Sequence, residues 1–411
     1  MITACRSCGS EKLESVIDLG NQMLSDFRSD DKKPNAYPLH MVRCLDCNFC
    51  QLTETAPFDE MYTENYGFKS GTNEVIRADL KDIANQGIRY ALMNHPDPVT
   101  EPPLDVLDIA SNDGELLSNY PTNYYKVGVD PITKLCKEAQ SKADLIINEF
   151  FPPKNKFVFD GVKFDIITAI SCFYDVEDPA NFLGEMVKLM KDNGVLIIQQ
   201  NYLLATLQNK AYDNICHEHI GYHTLMSMEH LFERFGLECV DVSTSMVNGG
   251  VLRTVCQKKG VGTPTKAVQA QRDIETAYGL DTDTPYRRFA NNVKSTAHEL
   301  KDLIDSINAS GKKCYIYGAS TRGGTIWQYV GLDVKDLPFA VERNPDKIGK
   351  KIAAIGVPII SEEQARLDKP DYMLVSIWFF KTQVLEREVE YLNAGGRLIF
   401  PLSELEVICR K

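Results

Sequence analysis

Two Cys-x-x-Cys pairs near the amino terminus constrain the fold of this chain more than any other feature. Cys5-Arg-Ser-Cys8 and Cys44-Leu-Asp-Cys47 share one spacing, and strand-like segments lie between them at residues 13–19 and 39–43. Two such pairs supply four thiolates for one tetrahedral zinc ion, and four sulfurs leave no open position for chemistry. Cys50 follows three residues later and could replace one of these ligands, take part in an iron–sulfur cluster or be a buried thiol. We therefore predict a structural zinc module.

Composition limits the remaining possibilities. A chain of 411 residues exceeds a single core, so two or three domains are expected. With 57 Asp and Glu against 45 Lys and Arg and no polybasic run, neither a nucleic acid nor an anionic membrane is an expected partner. The first residues lack a signal-peptide pattern, and no apolar run is long enough to cross a bilayer. We therefore expect a cytoplasmic protein whose twelve cysteines are thiols or metal ligands.

Alternating strands and helices follow a proline-rich linker at residues 94–103. Before the linker, an aromatic segment and a helix at residues 73–92 form either a packing strap or a ligand lid. After it, this pattern predicts a doubly wound sheet with its ligand at the carboxyl ends of the strands. The predicted strands lie at residues 106–110, 126–129, 165–170, 194–199 and 250–257, and the helices at 134–140, 182–191 and 228–235. Glu115 to Ser118 should start a further helix.

The first turn of this sheet indicates the ligand. Asp130 lies about 20 residues beyond the turn, where an acid binds a ribose diol. The glycines that approach a pyrophosphate are absent, since residues 110–113 read Ala-Ser-Asn-Asp. A nucleoside without phosphates, such as S-adenosylmethionine, fits better, and Asp108 and Asp113 could face its cationic groups. A generic turn in an unrelated sheet is the alternative.

Four of the seven histidines fall in one short stretch, at positions 217, 219, 223 and 230, with Cys216-His217-Glu218-His219 as its densest part. Such a cluster is a metal site, an acid/base site or a set of buried structural residues. The His-Glu-x-x-His spacing of helical zinc sites is absent. We expect His223 and His230 to be structural or exposed.

The carboxyl-terminal part repeats the strand–helix pattern. A helix at 300–310, a strand at 313–317, a turn at 318–325 and a helix at 326–330 come first, and strands at 338–341, 372–378 and 397–401 follow. The small residues of the turn, with Arg322, suit the diphosphate of a sugar nucleotide. The alternatives to an anion site are an ordinary turn between a strand and a helix, or a vestigial fold that only shapes a cleft. Residues 378–381, Trp-Phe-Phe-Lys, could line that cleft or pack it.

In this order, the zinc pairs, Leu107-Asp-Ile-Ala-Ser-Asn-Asp-Gly-Glu-Leu-Leu117, Cys216-His-Glu-His219 and Gly249-Gly-Val-Leu-Arg253 resemble the nucleotide-sugar C-methyltransferases, typified by TDP-sugar C-3′-methyltransferases. The resemblance implies an α/β protein that binds Zn²⁺ and S-adenosyl-L-methionine and acts on a nucleotide-linked 4-keto deoxysugar. Its parts would be a zinc-binding module (1–75), a class I S-adenosylmethionine-dependent methyltransferase domain (76–260), a helical connection (261–300) and a Rossmann-like nucleotide-sugar domain (301–411).

The resemblance maps the proposed base onto His219. A carbon beside a ketone must lose a proton before it attacks a methyl group, and histidine has a suitable pKa. Glu218 could orient that imidazole, and Tyr222 or His217 could stabilise the enolate. The methyl-donor candidates are Asp108, Ala110, Ser111, Asn112, Asp113, Asp130, Pro131, Ser171 and Lys69, and the substrate candidates are Tyr66, Asn201, Tyr202, Ser320, Arg322, Glu342 and Arg343. Cys5, Cys8, Cys44 and Cys47 are the expected metal ligands.

The chain departs from the family at two substrate-side positions. Cys216 stands where some members have tyrosine, and Asp175-Val-Glu-Asp-Pro179 stands where they have His-Val-x-Asp-Pro. The sugar, the nucleotide and the methylated atom are therefore left open, as is the oligomeric state, which is compatible with a monomer. Sugar O-methylation, an NAD-dependent nucleotide-sugar oxidoreductase and a non-catalytic zinc scaffold are the alternatives.

Overall fold

A computed structural model describes residues 2–61, 69–93, 102–159 and 161–410. The strands in this part of the chain are β1 (Leu13–Met23), β2 (Phe27–Arg28), β3 (Ala36–Cys44), β4 (Cys50–Leu52), β5 (Asp105–Ile109), β6 (Tyr125–Val129), β7 (Leu145–Ile147), β8 (Phe164–Ile170), β9 (Met190–Asn201), β10 (Gly221–Tyr222), β11 (Leu237–Ser245), β12 (Val251–Lys258), β13 (Cys314–Tyr317), β14 (Ala340–Glu342), β15 (Lys351–Ile352), β16 (Val357–Ser361), β17 (Tyr372–Val375), β18 (Arg397–Phe400) and β19 (Glu406–Ile408).

The α-helices are α1 (Phe58–Met61), α2 (Glu74–Met93), α3 (Thr133–Ala139), α4 (Pro179–Leu189), α5 (Leu203–Gln208), α6 (Leu225–Arg234), α7 (Lys266–Tyr278), α8 (Thr284–Ala309), α9 (Thr321–Val330), α10 (Glu362–Asp368), α11 (Lys381–Arg387) and α12 (Val389–Asn393). Among the described helices, none is long and apolar enough to cross a membrane.

The central sheet has the order β7-β6-β5-β8-β9-β12-β11. Its strands run parallel from β7 to β9, and β12 is antiparallel to both of its neighbours. β8 is almost entirely buried, as expected for a strand covered by helices on both faces. The chain leaves β5 toward β6 on one side and returns to β8 on the other, so the order reverses beside β5. Ligands of doubly wound sheets bind at such a reversal. The predicted α/β fold class is confirmed.

Each of the other two sheets includes one strand from a distant part of the sequence. The amino-terminal sheet has the order β1-β3-β4-β10, and β10 comes from the middle of the sequence. The carboxyl-terminal sheet, β19-β18-β17-β13-β14-β16-β15-β2, ends on a strand from the amino-terminal region. The predicted boundary at 75/76 falls inside α2, and the one at 300/301 falls inside α8. The proposed domain limits therefore remain predictions.

Several predicted helix limits were wrong. The helix expected from Glu115 is a single 3₁₀ turn, Leu117–Asn119, because Pro121 keeps Tyr120 extended. α4 starts earlier than expected, since the Asp178 side chain accepts the Asn181 N–H at 2.9 Å and caps the helix. α9 begins at Thr321 instead of residue 326.

The early start of α9 has a local cause. The Ser320 hydroxyl accepts the Gly323 N–H at 3.0 Å and caps the helix. A Cβ atom on Gly323 would lie 2.9 Å from the Cβ of Ser376, so glycine allows this helix to approach the next strand end. The small residues that we interpreted as a long turn therefore belong to the first turn of a packed helix.

Candidate active site and metal site

The four predicted metal ligands come together at one end of the amino-terminal sheet. The ligand atoms of Cys5, Cys8, Cys44 and Cys47 all lie within 4.8 Å of one another. The Sγ atoms of Cys5 and Cys47 are 3.7 Å apart, and those of Cys8 and Cys44 are 3.5 Å apart. A tetrahedral ion with Zn–S bonds of about 2.3 Å needs sulfurs about 3.8 Å apart, so this group fits zinc.

Cys50 does not belong to this group. It lies fully buried in β4, where it pairs with Tyr222 of β10, and burial raises the pKa of its thiol. Of the interpretations that the sequence left open for Cys50, the buried structural thiol agrees with this placement.

A cavity of about 450 Å³ lies at the carboxyl ends of the central strands, where the order of the sheet reverses. Seven of the nine methyl-donor candidates line it: Asp108, Ala110, Ser111, Asn112, Asp130, Pro131 and Ser171. The cavity has the size of a small-molecule site and is largely pre-formed.

The other two donor candidates, Lys69 and Asp113, do not line the cavity. The Lys69 ammonium pairs with Glu138 of α3. Asp113 accepts the Gly71 N–H at 3.1 Å, while Asn112 accepts the Ser70 N–H at 3.0 Å. Residues 69–71 therefore dock on the turn after β5, and Ser70, which the sequence did not single out, reaches the cavity.

Asp130, the residue predicted from the sequence to bind a ribose, lines the cavity and accepts two backbone hydrogen bonds. Its Oδ2 accepts the N–H of Asn112 at 2.9 Å and its Oδ1 accepts the N–H of Ile132 at 2.8 Å. Each carboxylate oxygen has a second lone pair, so both can still accept a ligand hydroxyl. The acid thus ties the turn after β5 to the end of β6 and retains capacity for a diol.

Backbone strain is concentrated around the cavity. Seven described non-glycine residues have a left-handed backbone, and four of them line this cavity: Ala110 (φ 58°), Asn112 (52°), Ser171 (55°) and Asn248 (51°). Such conformations each cost on the order of 1–3 kcal/mol and cluster at ligand sites. The surrounding packing therefore holds this rim in shape for a ligand.

A buried ionic network fixes the wall opposite the turn, and sequence reasoning missed it. The Arg253 guanidinium donates to Asp79 Oδ1 and Gln199 Oε1, both at 2.7 Å, and Gln199 Nε2 donates to Asp79 Oδ2 at 2.6 Å. Asp79 and Gln199 both line the cavity. The motif ending at Arg253 was recognised from the sequence, but its partner on α2 was not predictable from spacing.

The cavity is strongly acidic. Its described lining holds the carboxylates of residues 79, 108, 130, 175, 177 and 178 and no lysine, arginine or histidine. Asp79 is matched by Arg253, and Asp178 caps α4. The excess of carboxylates over cationic side chains in the described lining favours a cationic ligand and disfavours a phosphate.

Asp108 gives the cavity a pH response. Burial raises the pKa of its carboxyl to about 7. The hydrogen bond that Thr168 donates at 2.7 Å lowers this pKa, and the nearby charge of Asp130 raises it. The folded pKa lies above the unfolded value of 3.8, so this group stabilises the fold at acid pH. That contribution is lost as the pH rises from about 4 toward 7.

We therefore predict that a cationic ligand binds better as Asp108 ionises. The affinity for S-adenosylmethionine should rise between about pH 6 and 8, by up to about tenfold per unit below the pKa. S-adenosylhomocysteine, which lacks the sulfonium charge, should respond less in the same calorimetric titrations. Asp108→Asn should remove the difference, and an equal pH response of both ligands in the unmodified protein would contradict the prediction.

His219 does not line this cavity, but it packs against Tyr174, the residue before the lining residue Asp175. Its Nδ1 is 2.9 Å from the carbonyl oxygen of Asn214, and its ring packs edge-on against Tyr174, with centroids 4.5 Å apart. A carbonyl oxygen only accepts, so we assign the proton to Nδ1 and the lone pair to Nε2. Burial, and then the charge of Arg322, lower the pKa of His219 to about 3. The imidazole is therefore neutral and carries an unprotonated nitrogen. Its pKa lies well below the near-neutral value expected from the sequence, so the buried His219 is a weaker base than we predicted.

The predicted neighbours of His219 have different surroundings. His217 Nε2 donates to the Tyr37 carbonyl oxygen at 3.1 Å and so faces the amino-terminal sheet. Glu218 is half-buried, and burial raises the pKa of its carboxyl. Tyr222 is fully buried in β10, and its hydroxyl has no hydrogen-bond partner in the described part of the chain. Among the described residues, none of these three lines the large cavity.

Asp175 connects the cavity to the histidine segment. It lines the cavity, and its charge acts on Cys216 and Tyr222, raising the pKa of both groups further above the effect of burial. The two positions at which the chain departs from the family that it resembles are Asp175 and Cys216, and the charge of the first acts on the second. Of the remaining histidines in the stretch, His223 is buried between Phe49 and Phe173, and His230 is exposed.

Asn201, the last residue of β9, and Tyr202, which follows it, have different contacts. Asn201 Nδ2 donates to Asn214 Oδ1 at 2.9 Å and lies 3.2 Å from His219 Nδ1. The Tyr202 hydroxyl donates to Glu275 at 2.9 Å inside the core. The structure therefore brings Asn201, but not Tyr202, to the candidate base. Tyr66 lies outside the described residues.

A second cavity, of about 220 Å³, lies at the carboxyl ends of β13 and β14. Three substrate candidates line it: Ser320, Glu342 and Arg343. Lys347 also lines it and donates to the Ala319 carbonyl oxygen at 2.8 Å. Arg322 does not line it, because its guanidinium points to Asp213 instead.

Known proteins resemble this chain along its length. One family model, whose description names a zinc binding domain, matches residues 5–62; a methyltransferase domain matches 79–242; a C-methyltransferase C-terminal domain matches 246–403. C-methyltransferase NovU from Streptomyces niveus is 27% identical over 415 residues, with 99% of this chain and 97% of that protein covered.

Solved structures that match part of this chain include two methyltransferases. The plantazolicin methyltransferase BamL, bound to a triazolic desmethylPZN analog and SAH, is 15% identical, with 45% of this chain and 86% of that chain covered and a TM-score of 0.35. Magnesium protoporphyrin IX methyltransferase (ChlM) from Synechocystis PCC 6803, with bound SAM, is 13% identical, with 47% and 88% covered and a TM-score of 0.34.

The fold, the acidic nucleoside cavity and the four-cysteine group define an S-adenosylmethionine-dependent methyltransferase with a structural zinc site. Its sheet order and the Asp130 geometry agree with this class. The three matched regions and the full-length relative show that this chain is similar to C-methyltransferases along most of its length.

Proposed function

We propose that the enzyme methylates a carbon beside the ketone of a nucleotide-linked 4-keto sugar, with His219 as the general base. The observation that carries this proposal is the 2.9 Å contact between His219 Nδ1 and the Asn214 carbonyl oxygen, since a carbonyl only accepts and we therefore assign the proton to Nδ1 and the acceptor lone pair to Nε2. The ordered motifs shared with nucleotide-sugar C-methyltransferases support a sugar acceptor.

The reaction has two stages: a C–H bond of the acceptor breaks first, and a bond to the methyl group then forms at the same carbon. His219 Nε2 takes the proton from the carbon beside the ketone, and the electron pair moves onto the ketone oxygen as an enolate. The enolate carbon then bonds to the methyl group, while the carbon–sulfur bond of the donor breaks and its electrons stay on sulfur. S-adenosylmethionine supplies the electrophilic methyl group, and the proton on His219 leaves to solvent.

The charge of the two cavities supports separate places for donor and nucleotide. The acidic wall of the large cavity suits the cationic donor and repels a diphosphate. The second cavity offers Arg343, Lys347 and the amino end of α9, and it lies at a strand end where nucleotides commonly bind. We place the nucleotide of the acceptor there.

Product analysis tests this proposal. The enzyme would be incubated with S-adenosylmethionine and TDP-, GDP- or CDP-linked 4-keto sugars, and the methylated product examined by NMR. We expect a new methyl group on a ring carbon beside the ketone for one of the nucleotides. A methoxy signal, or transfer to none of the sugars by an enzyme that binds S-adenosylhomocysteine, would contradict the proposal.

A further inference from the structure

The Arg322 side chain contacts three groups of the protein itself: the Asp213 carboxylate, the Asn248 carbonyl and the Phe379 ring. Its Nε and Nη2 donate to Asp213 Oδ2 at 3.0 and 2.8 Å, and its Nη1 donates to the Asn248 carbonyl oxygen at 2.6 Å. The guanidinium carbon lies 4.7 Å from the centre of the Phe379 ring. Trp378 Nε1 donates to the same oxygen of Asp213 at 2.9 Å. The Arg322 side chain is 13% exposed, and Asp213 is fully buried.

These partners leave little of Arg322 for a diphosphate. The fork and Nε are committed to a buried carboxylate and a carbonyl, and one face covers an aromatic ring. Moving the guanidinium away to bind phosphate would leave the buried Asp213 carboxylate without its cationic partner, which is strongly unfavourable. The diphosphate role expected from the sequence is therefore not what this geometry favours.

Both polar partners belong to the proposed reaction site. Asn248 lines the methyl-donor cavity with a left-handed backbone (φ 51°). Asp213 directly precedes Asn214, whose carbonyl oxygen fixes the His219 tautomer at 2.9 Å. Arg322 itself lies in the first turn of α9, the helix whose amino end borders the second cavity. One side chain of this helix thus contacts the rim of the donor site and the segment that carries the proposed base.

We propose that Arg322 is a positioning residue for methyl transfer. Its side chain fixes the position of the donor rim at Asn248 relative to Asp213, which lies in the segment that carries His219. The part concerning His219 rests on the proposed function; the part concerning the donor rim does not. Placing donor and acceptor groups in register supplies much of the acceleration in a displacement, and a shift of about 1 Å can cost about 100-fold. Arginine is suited to this task because its planar fork bonds two partners in fixed directions, whereas lysine offers a point charge.

The test compares Arg322→Lys with Trp378→Phe and with a control, Arg272→Lys. Lysine keeps the charge beside Asp213 but cannot reach both partners in the same geometry, and phenylalanine removes one hydrogen bond from Asp213. Arg272 also forks onto a carboxylate, Glu229, at 2.6–3.1 Å, and it lines neither cavity. Affinity for S-adenosylhomocysteine would be measured by calorimetry, together with kcat and KM for the acceptor and the melting temperature.

We expect Arg322→Lys to weaken S-adenosylhomocysteine about three- to tenfold and to lower kcat about 10- to 100-fold, with KM for the acceptor nearly unchanged. Trp378→Phe should show the same pattern at smaller size, and Arg272→Lys should change only the melting temperature. A rise in KM alone, together with weaker binding of thymidine diphosphate, would overturn the proposal in favour of a diphosphate ligand. Unchanged donor affinity and kcat in a folded Arg322→Lys protein would also overturn it.

The donor measurement keeps this inference separate from the assignment of the acceptor. Binding of S-adenosylhomocysteine needs neither a sugar nor a base, so the Arg322 effect on it stands even if no 4-keto sugar is methylated. Failure of the sugar panel with intact donor effects would reject the proposed function and leave the role at the donor rim in place.

Discussion

Replacement of His219 by asparagine should abolish methyl transfer while the affinity for S-adenosylhomocysteine stays within about twofold. General-base catalysis contributes about 100- to 10,000-fold, and the variant removes the only nitrogen that we assign as an acceptor for the substrate proton. Asparagine retains a polar group near the Asn214 carbonyl oxygen, so the segment should keep its fold. Deuterium exchange isolates the step: with S-adenosylhomocysteine bound, the unmodified enzyme should exchange the proton beside the ketone in D₂O, and the variant should not.

His230→Asn is the matched control for this experiment. His230 lies in the same stretch of the chain but is exposed on α6, and it lines neither cavity. We expect it to retain turnover and proton exchange. Substantial exchange by the His219→Asn protein would place the base elsewhere, and Asp175, the carboxylate between the cavity and Cys216, would be the next residue to replace.

Removal of zinc should have the second large effect, because it disturbs more than the amino-terminal module. Structural zinc contributes on the order of 10 kcal/mol to small metal domains, so Cys44→Ser or a strong chelator should unfold the sheet of β1, β3 and β4. That sheet also pairs with β10, which begins two residues after His219. We therefore expect turnover to be lost while S-adenosylhomocysteine still binds, since the donor cavity is built mainly on the central sheet.

Metal analysis and circular dichroism would check this, with Cys409→Ser as the control. Cys409 is exposed and lies outside the four-cysteine group, so its replacement should leave one zinc per chain and full activity. Full zinc content in the Cys44→Ser protein would exclude the assigned ligand set. Retained turnover after complete zinc loss would show that β10 does not depend on the metal.

The features that could be predicted from the sequence depend on short stretches of chain. The zinc pairs, the central strands and the placement of Asp130 after β6 follow from residue spacing and hydrophobic pattern, which act within a few residues. Helix ends were less accurate because capping decides them: Asp178 starts α4 and Ser320 starts α9 earlier than the apolar pattern indicates.

The features that could not be predicted depend on distant partners. Arg322 looked like a phosphate ligand because it lies at the start of a helix, but a carboxylate 109 residues away binds it instead. Lys69 was assigned to the methyl donor, but its ammonium group forms an ion pair with Glu138. Tyr202 was assigned to the substrate, and Glu275 in the core accepts its hydroxyl. In each case a single charged or polar group has several possible partners, and only the folded chain decides among them.

The exchange of edge strands limits how this protein can be divided or recombined. β2, at residues 27–28, completes the carboxyl-terminal sheet, and β10, at residues 221–222, completes the amino-terminal one. A hybrid enzyme made by joining the amino-terminal region of one relative to the rest of another would therefore break two sheets at once, unless each transplanted segment matched its recipient at these strands. Substrate range in such enzymes is better altered by side-chain replacement within the cavities than by exchange of whole domains.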